Sequence, residues 1–128
     1  MKDIHTEIKA ATALPPAVYA ATTTGDPIDL HGFNAAELIV STGAIAGAGD
    51  YTVTLEDSPT TTGADFAAVS PVNLRGALPA SLAASSTYKL GYIGGKRYVR
   101  AVITKNGGTS IAASAVVMTM EPHISPVV

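Results

Sequence analysis

The stretch DYTVTLED, residues 50–57, alternates in strict order: Tyr51, Val53 and Leu55 fall on one side, Thr52, Thr54 and Glu56 on the other. A period of two is the mark of a half-buried strand, because successive side chains leave a pleated backbone on opposite faces. A helix would scatter the same apolar residues around its circumference. RYVRAVITK (97–105) repeats the pattern, with Val99, Ala101 and Ile103 on one parity and Tyr98, Arg100, Val102 and Thr104 on the other. TYKLGYIGG places Tyr88, Leu90 and Tyr92 on a common side, and AELIVSTG (36–43) reads as a strand buried on both faces. Turn chemistry separates these runs: Gly25-Asp26-Pro27, GAIAGAGD, DSPTTTGAD, Gly94-Gly95 and KNGG. Two-residue hairpin turns need positive φ, so Asn106-Gly107 or Gly107-Gly108 is expected to close a hairpin between RYVRAVITK and IAASAVVMTM. NLRGALPASLAASS (73–86) is the only plausible interior helical turn, short and interrupted by Pro79. The expected fold is all-β: an antiparallel β-sandwich or jelly-roll-like barrel of about seven to eight strands, with extended N- and C-terminal arms.

The chain has 128 residues, which favours one domain with a core large enough to need no staples. The expected division is an N-terminal arm over 1–16, a sandwich over 17–121 and a C-terminal tail over 122–128. MKDIHTEIKAATALPP reads either as a short helix, with Ile4 and Ile8 four apart, or as an extended segment, with Ile4, Thr6 and Ile8 alternating. Pro15-Pro16 ends either one and enforces extension nearby. EPHISPVV closes the chain with two prolines and little room for a packed element.

Charge is scarce. Lys and Arg number 8 against 10 Asp and Glu, for a net charge of −2, and charged residues make up 14% of the chain. About a quarter is usual for soluble proteins. A nucleic-acid reader would need a basic excess to neutralise phosphates, and only Lys96, Arg97 and Arg100 cluster here, so DNA or RNA is not an expected partner. No apolar run is long enough to span a membrane, and the N-terminus, with Asp3 and Glu7 and no continuous apolar core, is not read as a signal peptide. With 47% apolar residues and so few charges, part of the surface is expected to be covered by other subunits.

The strand IAASAVVMTM sharpens that expectation. Ile111, Ala113, Ala115 and Val117 take one parity, while Val116, Met118 and Met120 take the other, so both faces are small or apolar. Either this is a central strand under a loop, or its outer side meets a neighbouring subunit. Candidate interface residues are therefore Ile4, Ile8, Leu14, Tyr19, Val116, Met118, Met120 and Ile124. The arms could equally lie on their own domain.

Searches for chemistry find little. Cysteine and tryptophan are absent. His5, His31 and His123 are too dispersed for a zinc site. Asp29 and His31 share a strand parity and read as a solvated pair. Asp57 and Asp65 flank a threonine-rich loop without a calcium-loop pattern, and that loop is expected to face solvent. Ser86-Thr87-Tyr88-Lys89 matches Ser-x-x-Lys, but on a strand a separation of three sends Ser86 and Lys89 to opposite faces. GAIAGAG lacks the lysine and following helix of a phosphate loop. No catalytic, metal or cofactor residue is assigned, and the chain is not expected to be an enzyme.

Several stretches in their order carry a resemblance: DIHTEIKAATALPPAVYAATTTGDPIDLHGF, then AELIVSTGAIAGAGDYTVTLEDSPTTTGADFAAV, then YKLGYIGGKRYVRAVIT and the closing EPHISPVV, with GYIGGKRYVRAVIT the most specific. The chain resembles a family of small virion structural proteins of tailed bacteriophages, prophages and gene-transfer particles. The resemblance implies a head-associated, decoration-like protein on the capsid surface, assembled in the bacterial host cytoplasm. Its partners would be the major capsid protein and copies of itself, a trimer being one option. A tail- or fibre-associated adhesion module that binds a host receptor or glycan is the competing expectation.

Overall fold

A computed structural model of the protein describes residues 3–124. The described residues form ten strands: β1 (Lys9–Tyr19), β2 (Thr23–Thr24), β3 (Ile28–Asp29), β4 (Phe33–Ala46), β5 (Asp50–Ser58), β6 (Ala67–Ala68), β7 (Leu74–Arg75), β8 (Thr87–Tyr92), β9 (Tyr98–Gly107) and β10 (Ser110–Pro122). Three short 3-10 turns, His5–Glu7, Gly63–Asp65 and Pro71–Asn73, complete the described elements. The first sheet runs β1-β10-β4-β8-β7, and the second runs β2-β9-β5-β6 with β3 also on β9. All pairings are antiparallel. The molecule is thus an all-β sandwich whose two sheets remain separate rather than closing into a barrel.

The alternation read from the sequence points inward as expected. Leu38 and Val40 of β4, Ile111, Ala115 and Val117 of β10, and Leu90 of β8 meet Tyr51, Val53 and Leu55 of β5 and Val99, Ala101 and Ile103 of β9 in one buried core. β4 differs from its expected burial on both faces. Leu38, Val40 and Thr42 are buried, whereas Glu37 and Ile39 are only half-buried and Ser41 is exposed.

The expected β9–β10 hairpin does not form. β9 pairs with β2, β3 and β5 in the second sheet, and β10 pairs with β1 and β4 in the first. The glycine pair is a crossing between sheets. The β4–β5 connection crosses beside it, so the β4·β10 ladder ends at Ala46↔Ser110 and resumes as β5·β9 at Asp50↔Gly107. One long two-stranded ribbon is folded over itself and contributes the middle of both sheets. With β1 and β8 flanking it in one sheet and β2/β3 and β6 in the other, the strand order is that of a jelly roll. Turn residues alone could not distinguish a hairpin from this corner, because both need a positive φ. Gly108 has φ +73°, and a Cβ there would sit 2.3 Å from the Ala48 carbonyl oxygen and 2.5 Å from the Gly49 Cα. Ala48 itself adopts φ +57°.

The N-terminal segment contains both forms left open by the sequence, a 3-10 turn over His5–Glu7 and then extended β1. β1 is an edge strand of the first sheet, and the ladder shifts register between Thr12 and Leu14 and again between Leu14 and Ala17. Pro15 and Pro16 fall in the second shift, where the missing N–H groups cost no ladder bond. The Tyr19 hydroxyl donates to the Pro15 carbonyl and closes this irregularity.

Beyond Asn73, which ends a 3-10 turn, the stretch 73–86 is not helical. After β7, Gly76 takes φ +84° and Ser85 φ +50°, and the segment crosses the sandwich mouth as an irregular loop. Leu82 is buried in the core, its N–H donating to the Tyr51 carbonyl at 2.9 Å. The buried Thr42 hydroxyl, 2.6 Å from the Ala83 carbonyl, also accepts the Ser86 N–H at 2.9 Å. Leu82→Ala is expected to lower stability by about 2–5 kcal/mol, since a fully packed leucine leaves a cavity. Denaturant unfolding measures it.

Candidate functional site

Two surfaces stand apart from the rest. The first is the outer face of the β1-β10-β4-β8 sheet. Val116 on β10 lies between Thr12 and Ile39, Met118 between Ala10 and Glu37, Ser114 beside Ser41, and Ala112 beside Val18. Val18 is 68% exposed. Glu37 and, beside Ile39, Lys89 bring the only charges of these registers, at the β8 side. The outer face of the second sheet is its opposite. Thr52, Thr54 and Glu56 of β5 meet Thr104, Val102 and Arg100 of β9. There Arg100 Nε lies 2.7 Å from Glu56 Oε1, and its guanidinium sits over the Phe66 ring at 4.3 Å. One sheet thus presents polar groups paired among themselves, the other a low-charge field of Val, Ile, Met, Ala and Ser.

Among the sequence-derived interface candidates, Val116, Met118 and Met120 share this low-charge face, the first two half-buried and Met120 more exposed. Leu14 and Tyr19 are placed elsewhere: both are buried in the protein's own core. β1 folds onto its own domain at these positions, so they offer no outer contact. Ile4 is exposed and Ile8 half-buried around the His5–Glu7 turn, and Ile124 is exposed beyond β10.

The second surface is a cleft of about 340 Å³ at one end of the sandwich. Three segments build it: 30–36 leading into β4, 92–97 between β8 and β9, and His123 after β10. Backbone bonds lock them together. Leu30 N–H donates to the Arg97 carbonyl at 2.8 Å, and His123 N–H donates to the Gly32 carbonyl at 2.7 Å. Tyr92 forms the floor. Its hydroxyl donates to Asp57 Oδ2 at 2.8 Å and accepts the Lys96 N–H at 3.1 Å. Gly94 lies so close over this ring that a Cβ would come within 2.5 Å of the tyrosine oxygen. On the rim, Arg97 grips Asp29 through both oxygens, at 2.9 and 2.8 Å, and His123 Nε2 lies 2.8 Å from Asn34 Oδ1.

Asp57 corrects the expectation of a solvent-facing 57–65 loop. It belongs to β5, is 4% exposed, and has Lys96 Nζ at 3.4 Å from Oδ1. Ser58 is also buried, and only from Pro59 does the loop emerge. Burial, followed by the Asp57 hydrogen bond, pushes the Tyr92 hydroxyl up to about 12 from an ordinary 10.0. A raised folded value means the contribution is complete below pH 10 and disappears as pH rises through 12. Tyr92→Phe leaves a buried carboxylate oxygen without its donor, so a loss of about 1–3 kcal/mol at neutral pH is expected. Its thermal midpoint should also fall less steeply than the parent's above pH 10.

Asp29 and His31 are both exposed, as expected of a solvated pair, and Asp29 has in addition a partner the sequence did not show. Arg97 takes the carboxylate and, chiefly through its hydrogen bonds, holds it at about 2 against a usual 3.8. The His31 N–H also donates to Asp29 Oδ1 at 2.9 Å. The stabilisation is present above pH 3.8 and is lost as pH falls through about 2. Asp29 is largely solvent-exposed, so Asp29→Asn is expected to shift the neutral-pH midpoint only slightly while flattening the acid limb of the stability curve. Circular dichroism melts at stepped pH would check this. Among the described residues no group of three or more His, Cys, Asp or Glu is placed to hold a metal, and no helix is long and apolar enough to cross a membrane.

Sequence reasoning missed the cleft because its parts are far apart in the chain. A signal for its floor was present: Asp57 continues the inward parity of Tyr51, Val53 and Leu55, and Tyr92 that of Tyr88 and Leu90.

No protein-family model matches the chain, and no curated protein matches it. Among solved structures, a chain from the structure of infectious bursal disease virus, Gx strain, is similar over 93% of this protein at 15% identity, with a TM-score of 0.44. The matched region is 34% of that viral chain's length.

Proposed function

We propose that this protein is a non-enzymatic structural component of a tailed-phage virion, a decoration or cement protein that binds the major capsid protein lattice. The observation that carries the reading is the asymmetry of the two sheet faces. An outer face that is low in charge and centred on Val116, Ile39 and Met118 suits repeated contact with a lattice of identical subunits. Stable contacts need roughly 1,000 Å² or more of total buried surface, which a sheet face of four strands can supply. Self-association into a closed cyclic oligomer would multiply each weak lattice contact. The jelly-roll strand order, common among capsid and lectin domains, agrees with the setting without specifying it. The sequence resemblance to phage head-region proteins adds the capsid exterior as location.

Co-sedimentation with purified capsids tests this reading directly, with immunogold labelling to distinguish head from tail. Saturable binding at a fixed ratio to capsid protein is expected. Purified particles that neither contain nor take up the protein would overturn it.

A second reading, an adhesion module on a tail or fibre that binds a host receptor or glycan, draws support from the cleft at one end of the sandwich. Binding of the purified protein to whole host cells would favour it.

A further inference from the structure

We propose that the end cleft is a binding site for a neutral, hydroxyl-rich ligand, a single hexose unit of a glycan. Its size falls within the range usual for small-molecule sites, about 300–1,000 Å³. Its charges are already balanced. Arg97 is held by both oxygens of Asp29, and Lys96 faces the buried Asp57. An anion entering the cleft would have to compete with those carboxylates, and a cation with those bases. An uncharged ligand displaces neither.

What remains available is hydrogen-bonding capacity of both signs. His123 Nε2 meets Asn34 Oδ1, while the Asn34 amide nitrogen has no hydrogen-bond partner among the described residues. The Lys96 ammonium is about half exposed and can donate to a second acceptor, and Asn34 Oδ1, which has a second lone pair, can accept a hydroxyl. The half-buried Phe33 ring lines the same cleft and offers a flat apolar face. A sugar ring needs such a pairing, with hydroxyls to fork-shaped polar groups and its C–H face to an aromatic ring.

The frame is also rigid. The Leu30–Arg97 and Gly32–His123 backbone bonds fix the rim, and Tyr92 fixes the floor from below. A preorganised site of this kind loses little ordering entropy on binding. This assignment deepens the adhesion reading by naming the ligand, yet it stands apart from that reading in test. Cell binding without hexose binding would leave adhesion intact and end the present proposal. Hexose binding without cell binding would do the reverse.

The experiment is an amide chemical-shift titration of the full chain with glucose, galactose, mannose and N-acetylglucosamine, followed by sodium sulfate and sodium acetate. At least one sugar is expected to give saturable shifts confined to 31–36, 92–97 and 123, insensitive to added salt. Asn34→Ala, at an exposed position, should weaken that binding by about tenfold, the worth of one lost hydrogen bond. Its melting temperature should be unchanged, and Val116→Asp, outside the cleft lining, should leave sugar binding alone. No shift with any of the four sugars at tens of millimolar overturns the proposal. So do shifts caused only by sulfate or acetate and suppressed by salt, which would define an anion site.

Discussion

Gly108→Val is expected to leave the protein largely unfolded or insoluble, whereas Gly107→Ala, one residue away, should fold and melt within about 1 kcal/mol of the parent. The contrast follows from the corner where the folded ribbon passes between sheets. Gly108 holds φ +73°, a conformation that a β-branched residue adopts only under strain of about 1–3 kcal/mol. The added Cβ would also lie 2.3 Å from the Ala48 carbonyl oxygen, and these are backbone atoms with no rotamer to move aside. Relief requires the β4–β5 crossing to shift, and with it the Ala46↔Ser110 and Asp50↔Gly107 registers. Against a total stability of about 5–15 kcal/mol, that combination is close to the whole. At Gly107 a Cβ meets nothing within 4 Å. Soluble yield and thermal melts of the two variants decide the matter. A Gly108→Val protein with an unchanged midpoint would mean that the corner is not built as described.

Val116→Asp with Met118→Asp is expected to abolish the proposed capsid binding, by about a hundredfold or more, while the melting temperature stays near the parent's. Both side chains point out of the first sheet, on the parity opposite the buried Ala115 and Val117, so the fold loses little when they are replaced. A partner surface closing over them would have to strip water from two uncompensated carboxylates, which costs several kcal/mol. Thr54→Asp, on the outer face of the other sheet beside Val102, is the matched control and should bind like the parent. Equal loss in both variants would point to general charge repulsion from the particle. No loss in either would move the contact away from the β10 face.

The inward-facing residues could be read from the sequence because a strand's parity is a local property. Tyr51, Val53 and Leu55, or Val99, Ala101 and Ile103, announce their face within a few residues, and the structure buries all six. Pairing is not local. Asn106-Gly107-Gly108 has the composition of a hairpin turn, but β4 and β1 compete for β10 from far along the chain and win. The same limit hid the cleft, since nothing near His31 indicates that Lys96 and His123 will stand beside it. Leu14, in the segment the sequence marks as an arm, and Tyr19, just beyond it, look like outer contacts in the sequence because a double proline between them enforces extension. β1 accommodates it through two register shifts at a sheet edge.

The folded ribbon has a mechanical consequence. β4 runs into β5 and β9 into β10, so neither sheet can be peeled from the other without tearing the strand pair at the heart of both. The sandwich should therefore come apart in a single step rather than leaf by leaf. Any clamp applied to one broad side is transmitted through the bend to the opposite side. A subunit gripped only by its β10 flank would be toughened throughout.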